Sequence, residues 1–217
     1  AARLPELPPY EGGAVGYAGY DVVRYTEHLP DAPVDDRHLP DLAFGFYDRM
    51  VVFDHVSKTM FVIAMARLDA HQGNAEAAYR DAQQRIDETV KQLKPASNDL
   101  TCADISPGGE TSIPYTSNFA QSDFEEAVQR CVEYIRAGDI FQVVISQRLQ
   151  LQIKSDPFEI YRTLRVVNPS PFMFFLRTPD VTLVGSSPEI MCRVVDGKVT
   201  VRPLAGTRMR GQDEKED

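Results

Sequence analysis

Cysteine is scarce in this sequence and never closely spaced. Cys102, Cys131 and Cys192 are odd in number and far apart, so neither a disulfide framework nor a zinc knuckle is expected, and a reducing, cytoplasmic compartment is. Basic residues are also in short supply: 23 Lys+Arg stand against 32 Asp+Glu, a formal net charge of −9. So acidic a chain is not expected to wrap nucleic acid or to dock on an anionic membrane, which leaves small molecules and proteins as partners. Long hydrophobic runs are missing too. The longest, residues 60–66, falls far short of the roughly 20 apolar residues that a membrane-spanning helix needs. There is no basic segment followed by an apolar one at the start, no initiator Met, and the last residues, Gln212-Asp-Glu-Lys-Glu-Asp217, form a charged run after a Gly-rich turn. A fragment of a longer chain is the expectation.

Several catalytic signatures are absent as well. His28, His38, His55 and His71 show no HExxH spacing, and surface roles are expected for them. Gly185-Ser-Ser-Pro188 lacks the second glycine of a nucleophile elbow, and no histidine follows it, which excludes a serine hydrolase. Residues 12–20 do not spell GxGxxG and no GxxxxGK[ST] occurs, so nucleotide cradling has no support. The glycines Gly12, Gly13, Gly16 and Gly19 are instead expected at a tight corner where a short strand runs into a helix.

What is present is an ordinary globular balance, 43% hydrophobic and 25% charged over 217 residues, enough to bury a sizeable core. A proline-rich acidic loop, residues 30–40, precedes two β-branched and aromatic runs, 42–54 and 59–68, expected to pair as a hairpin around His55-Val-Ser-Lys58. Ala75, Tyr79, Ala82, Ile86, Val90 and Leu93 recur at three and four residues and predict a helix over 74–94 that stops at Pro95. The aperiodic stretch 96–117 reads as a linker between an N-terminal region, 1–95, and a second region, 118–217. Ser122-Asp-Phe-Glu125 reads as a capping box opening a second helix, whose stripe of Phe124, Ala127, Val128, Cys131, Val132 and Ile135 ends at Gly138. A strand over 142–153, a helix opened by Asp156-Pro157, and strands over 172–177, 181–185, 190–195 and 198–202 follow, the last two joined by Asp196-Gly197. The fold class expected is α+β with mostly antiparallel sheets and packed helices.

Two segments are not explained by structure alone. Gln142 is a polar residue opening an apolar strand, and in Arg202-Pro-Leu-Ala-Gly-Thr-Arg-Met-Arg-Gly211 three arginines flank a Gly-Thr turn. The second is either a solvated basic loop or an anion site in which Gly206 exposes backbone N–H groups and Thr207 donates its hydroxyl to a carboxylate.

Five blocks occur in one order: Gly12-Gly-Ala-Val-Gly-Tyr-Ala-Gly-Tyr-Asp-Val-Val-Arg-Tyr25, Ala137-Gly-Asp-Ile-Phe-Gln-Val-Val-Ile-Ser146, Asn168-Pro-Ser-Pro-Phe-Met-Phe174, Gly185-Ser-Ser-Pro-Glu189 and Arg202-Pro-Leu-Ala-Gly-Thr-Arg208. Together they resemble the component I family of anthranilate synthases, a branch of the chorismate-utilising enzymes. They correspond to the middle of that longer subunit, so 118–217 would be the start of its chorismate-binding domain. The resemblance implies a fold of sheets and helices enclosing a chorismate site, Mg²⁺, and ammonia supplied from glutamine by a glutaminase partner, component II. The implied activity is that of a lyase forming anthranilate and pyruvate in tryptophan biosynthesis. The family's metal-holding glutamates and catalytic histidine correspond to positions beyond Asp217, so no catalytic or metal residue is named in this chain, and the chain alone is expected to be inactive.

Carried over residue by residue, Gly206 and Thr207 match the pair that contacts chorismate. Pro171, Phe172 and Met173 match part of the tryptophan feedback site, with Phe172 where Tyr is common. For Glu189, which could act in catalysis by appearance, a structural role at a strand start is expected. Gln142 and Ala205 bear on the type of reaction. Isochorismate and salicylate synthases carry a lysine at the place resembling Gln142, and aminodeoxychorismate synthases carry one at the place of Ala205. An amide cannot take a proton at neutral pH and a methyl group cannot attack, which leaves ammonia as the attacking species. The alternatives are aminodeoxychorismate synthase component I and a catalytically silent tryptophan-binding fragment.

Overall fold

The computed structural model describes residues 7–94, 105, 112–202, 206, 209, 211 and 212. The chain divides into two compact units, one of residues 1–103 with 176–182 and one of residues 104–175 with 183–217.

In the first unit, β1 (Gly13–Ala18) pairs antiparallel with β2 (Leu42–Tyr47), in register from Gly13 opposite Tyr47 to Ala18 opposite Leu42. A turn of 3-10 helix, Tyr20–Tyr25, follows β1, so the glycine-punctuated corner does run from strand to helical turn. The corner is tied down by local bonds: Gly19 N–H donates to the Asp41 carbonyl at 2.7 Å, Arg24 Nε to Asp21 at 2.6 Å, and the Tyr25 hydroxyl to the Asp41 carboxylate at 2.8 Å. That last contact, through its hydrogen bond first and its charge second, raises the Tyr25 pKa above 10.0.

The run 42–54, expected as one strand, is two. It breaks at Asp48, after which β3 (Arg49–Asp54) pairs with β4 (Thr59–Ala64) while β2 stays with β1. The only local trace of the break is the charged pair Asp48-Arg49, which does not by itself distinguish a bend from a continuous strand. What fixes the bend is long-range: the Asp48 carbonyl accepts the Met65 N–H at 2.8 Å, and its carboxylate lies 3.2 Å from Arg85 and 3.9 Å from Arg67. The turn between β3 and β4 is organised by Asp54, whose carboxylate accepts the Val56 and Ser57 amides and the Ser57 hydroxyl.

The first helix, α1 (Ala75–Leu93), starts where predicted, with the Asn74 side chain accepting the Ala77 N–H at 3.0 Å. Its buried face is turned from the predicted stripe. Ala78, Ala82 and Thr89 are buried together with Ile63 of β4, whereas Tyr79 is 59% exposed. Two alanines one turn apart let β4 approach closely, and Arg85, on the same side, donates to the Met65 carbonyl and pairs with Asp81 at 2.9 Å. Pro95 lies outside the described residues.

In the second unit, β5 (Tyr115–Ser117) pairs antiparallel with β6 (Leu149–Leu151). β5 thus lies within the stretch read as linker, most of which is outside the described residues. The strand expected over 142–153 is reduced to β6, because no described strand runs beside residues 142–148 to pair with them. α2 (Gln121–Ala137) begins earlier than the supposed capping box. Its N-cap is Ala120, with no side-chain cap, and Ser122 lies in the first turn bonded to Asp123. A hydrophobic staple takes the place of the box: Phe119 and Phe124 meet edge to face at 5.6 Å, the N′ and N4 positions of that motif. Gly138 ends α2 with φ +84° as expected.

α3 (Pro157–Val167) is capped by Asp156, which accepts the Phe158 N–H at 2.7 Å, with Pro at its first position. Phe158 and Tyr161 on α3 pack against Phe175 of β7 (Phe172–Arg177), with ring centroids 5.3 and 6.0 Å away. β7 pairs with β8 (Thr182–Ser187), and β9 (Cys192–Val195) pairs antiparallel with β10 (Lys198–Val201). Asp196 and Gly197 have φ +50° and +74°, as a two-residue hairpin turn with both centres left-handed requires. Helices and mostly antiparallel pairs make the fold α+β. No helix among the described residues is long and apolar enough to cross a membrane.

Candidate functional site

Two of the motif blocks lie side by side. The turn of Asn168-Pro-Ser-Pro171 is stitched to the end of β8 by two serine hydroxyls: Ser186 donates to the Asn168 carbonyl at 2.7 Å, and Ser170 donates to the Ser187 carbonyl. Ser187 in turn donates to the Glu189 carbonyl at 3.0 Å. The serines of Gly185-Ser-Ser-Pro188 are therefore spent on holding backbone, which accounts for them without nucleophilic chemistry. Gly185 has its own reason: a Cβ there would run into the ring of Phe174 on the neighbouring strand.

These stitches place Pro171 and Phe172 on one side of a cavity of about 510 Å³, within the range of small-molecule sites. Pro188, Glu189 and Ile190 line it from the β8–β9 connection, and Arg193, Thr200 and Arg202 from the last hairpin. The ladder explains why those three share a face. Arg193 stands directly opposite Thr200, and Arg202 follows Thr200 by two residues, so strand alternation sends all three side chains the same way, with Lys198 further along. Cys192, Val194, Val199 and Val201 occupy the other face. The Arg202 N–H donates to the Met191 carbonyl at 2.9 Å, which prolongs the pairing past β10.

The sequence-predicted site residues are only partly brought together. Pro171 and Phe172 line the cavity, whereas Met173, the next residue on β7, faces the opposite way, on the side of Phe175 that packs on α3. Glu189 lines the cavity at the start of the segment leading to β9. Gln142 is exposed and belongs to no strand. Gly206 has open space around the position of a Cβ, so crowding does not dictate glycine there. Thr207 and Ala205 lie outside the described residues. Arg193 was missed in the sequence. The signal that exposes it is the alternation Arg193, Val195, Lys198, Thr200, Arg202 around Asp196-Gly197, which becomes legible once the turn is taken as a two-residue hairpin.

A second, smaller cavity of about 190 Å³ lies in the first unit, against Gly16, Phe44 and Tyr47. Gly16 of the first motif block is there for close packing: a Cβ would meet the Ala43 carbonyl oxygen on β2. Among the described residues no three His, Cys, Asp or Glu side chains converge as a metal site needs, so these residues do not fit a resident magnesium ion.

The comparisons with known proteins agree with the five blocks. The model of the chorismate binding enzyme family matches residues 1–217. Anthranilate synthase component 1 of Acetivibrio thermocellus is 42% identical over 221 residues, covering 100% of this chain and 44% of that protein. The chloroplastic anthranilate synthase alpha subunit 1 of Arabidopsis thaliana is 45% identical over 225 residues, covering 99% of this chain and 37% of its own length. The crystal structure of anthranilate synthase component I from Streptococcus pneumoniae superposes with a TM-score of 0.74 at 33% identity, over 91% of this chain and 43% of that one. The chain thus spans less than half the length of the relatives it matches. With the motif blocks, the fold and the family model in agreement over its length, the chain belongs to the chorismate-binding enzymes.

Proposed function

We propose that this chain is part of an anthranilate synthase component I, a lyase that converts chorismate and ammonia to anthranilate, pyruvate and water. The observation that carries the reading is identity of 42–45% to anthranilate synthase components over nearly the whole chain. In the complete subunit, Gly206 and Thr207 contact chorismate, and component II supplies ammonia from glutamine in the cytoplasm. Mg²⁺ is held by residues corresponding to positions beyond Asp217, and the chain alone is inactive. Large apolar side chains left open, such as Phe141 at 92% exposure, support a role inside a larger subunit.

The type of attack rests on two positions. Gln142 offers a neutral amide in place of a base for water, and Ala205 offers no nucleophile to the ring. Ammonia needs no activating base if it arrives unprotonated. Tryptophan inhibits at a site that includes Pro171, Phe172 and Met173, a reading supported by the position of Pro171 and Phe172 on a ligand-sized cavity, with Met173 backing them from the opposite face of β7. The test is mass analysis of what the complete subunit makes from chorismate, glutamine and Mg²⁺ with its glutaminase. Anthranilate and pyruvate are expected. Accumulation of 4-amino-4-deoxychorismate, or salicylate as the main product, would overturn the reading.

A further inference from the structure

The last hairpin carries an arrangement that its own strands do not explain. Arg193 and Arg202 lie on one face of a two-stranded ribbon as diagonal neighbours, Arg193 opposite Thr200 and Arg202 two residues on, within reach of each other's long, like-charged side chains. Both line the cavity. The only acid between them in the chain is Asp196, at the turn. Among the described residues neither arginine is in an ion pair, and Glu189, the single carboxylate lining the cavity, pairs with neither. In a chain of net charge −9, two guanidinium groups that line one cavity and have no ion pair among the described residues form a local concentration of positive charge. The same cavity is lined by Phe172 and the prolines Pro171 and Pro188, apolar surface suited to a flat ring.

We propose that Arg193 and Arg202 form a two-armed carboxylate clamp for a ring-bearing acid, its ring against Phe172 and its carboxylate between the guanidinium forks. The bound anion relieves the repulsion between the arginines and offers them charge-assisted, bidentate hydrogen bonds. The clamp rests on the proposed inhibitor reading of Pro171 and Phe172 and adds to it the group that reads the ligand's charge. Substrate and inhibitor are both ring-bearing carboxylic acids. The clamp is assigned to the inhibitor, because Phe172 and Pro171 line the same cavity.

The test is equilibrium dialysis of the complete subunit against L-tryptophan, tryptamine, which lacks the carboxylate, and chorismate. Arg193→Gln and Arg202→Gln are each expected to weaken L-tryptophan binding about tenfold or more, while tryptamine, a cation that the clamp cannot hold, binds the variants no more weakly than the unaltered subunit. Lys198→Gln, on the same hairpin face but away from the cavity, is expected to keep the original L-tryptophan affinity and controls for a general loss of positive charge. If the unaltered subunit binds no L-tryptophan, the inhibitor reading fails and takes the clamp with it. If it binds L-tryptophan but both arginine variants bind it as well, or Lys198→Gln weakens it as much, the clamp alone is overturned. Loss of chorismate affinity in place of L-tryptophan affinity would move the clamp to the substrate and overturn the assignment.

Discussion

Replacing Gly16 by alanine pits two opposing effects against each other, and the structure decides between them. Alanine restricts the unfolded chain more than glycine does, which by itself stabilises by about 0.4–1 kcal/mol. Against this, the new Cβ would overlap the Ala43 carbonyl oxygen and sit 2.7 Å from Phe44 Cα and 2.8 Å from Ala43 C, all backbone atoms of β2. Backbone held in a six-pair ladder cannot swing aside as a side chain can, so the upper end of the overpacking cost, about 3 kcal/mol, applies. The net loss is about 2 kcal/mol, or about thirtyfold in the opening equilibrium of the β1–β2 pair. Amide hydrogen exchange of the complete subunit reads this directly, since β1 and β2 amides should exchange about thirtyfold faster. Gly185→Ala is the comparison. There the obstruction is the Phe174 ring, 46% exposed and able to turn outward, so the cost should be smaller. Unchanged exchange in Gly16→Ala, or a larger effect from Gly185→Ala, would refute the argument that backbone immobility sets the cost.

Phe119→Ala should fray the start of α2 by about 0.5–1.5 kcal/mol through loss of the edge-to-face staple, whereas Ser122→Ala should change it by less than about 0.5 kcal/mol; exchange of the first-turn amides checks both. Asp54 is held below its ordinary value of 3.8 by the Ser57 hydroxyl first and the Val56 and Ser57 amides next, so its contribution to the β3–β4 turn is fully present above 3.8 and is lost as pH falls through the lowered value. A carboxyl NMR titration should place its midpoint under 3.8, and Asp54→Asn should flatten the acid sensitivity of that turn. In the complete subunit Met173→Thr should weaken tryptophan inhibition, and because Met173 shares the face of β7 that packs on α3, it should also cost about 1 kcal/mol of stability; an unchanged inhibition curve would remove Met173 from the regulatory site.

What could be read in the sequence and what could not separate along a physical line. Features fixed by neighbours in the chain were legible: the extent of α1, the Asp156-Pro157 start of α3, the Gly138 stop of α2 and the Asp196-Gly197 hairpin. Those that need a distant partner were not. The break at Asp48 depends on Met65, Arg67 and Arg85, and the shortening of the 142–153 strand to β6 reflects which segments have a pairing neighbour. The capping box misled because Ser122 and Glu125 have the right spacing, yet the Phe119–Phe124 contact sets the helix start earlier. For the site, the Pro171-Phe172 block was legible as a motif, but its junction with Gly185-Ser-Ser-Pro188 runs through hydroxyl-to-carbonyl bonds spanning 17 and 18 residues. No local pattern encodes such a bond.

The bend at Asp48 also has a bearing on how this region tolerates insertion and deletion. Because strand alternation has a period of two, losing one residue from a continuous strand inverts the inward and outward positions of everything after it. Here the error would stop at residue 48. Asp48 is anchored independently by the Met65 amide and two arginines, so a one-residue deletion in β2 would disturb the β1–β2 ladder and leave β3 facing β4 in its original phase. The two strand pairs are thereby insulated from each other's frame shifts, and length variation within residues 42–47 should be accepted without disturbing the contact of β4 with α1.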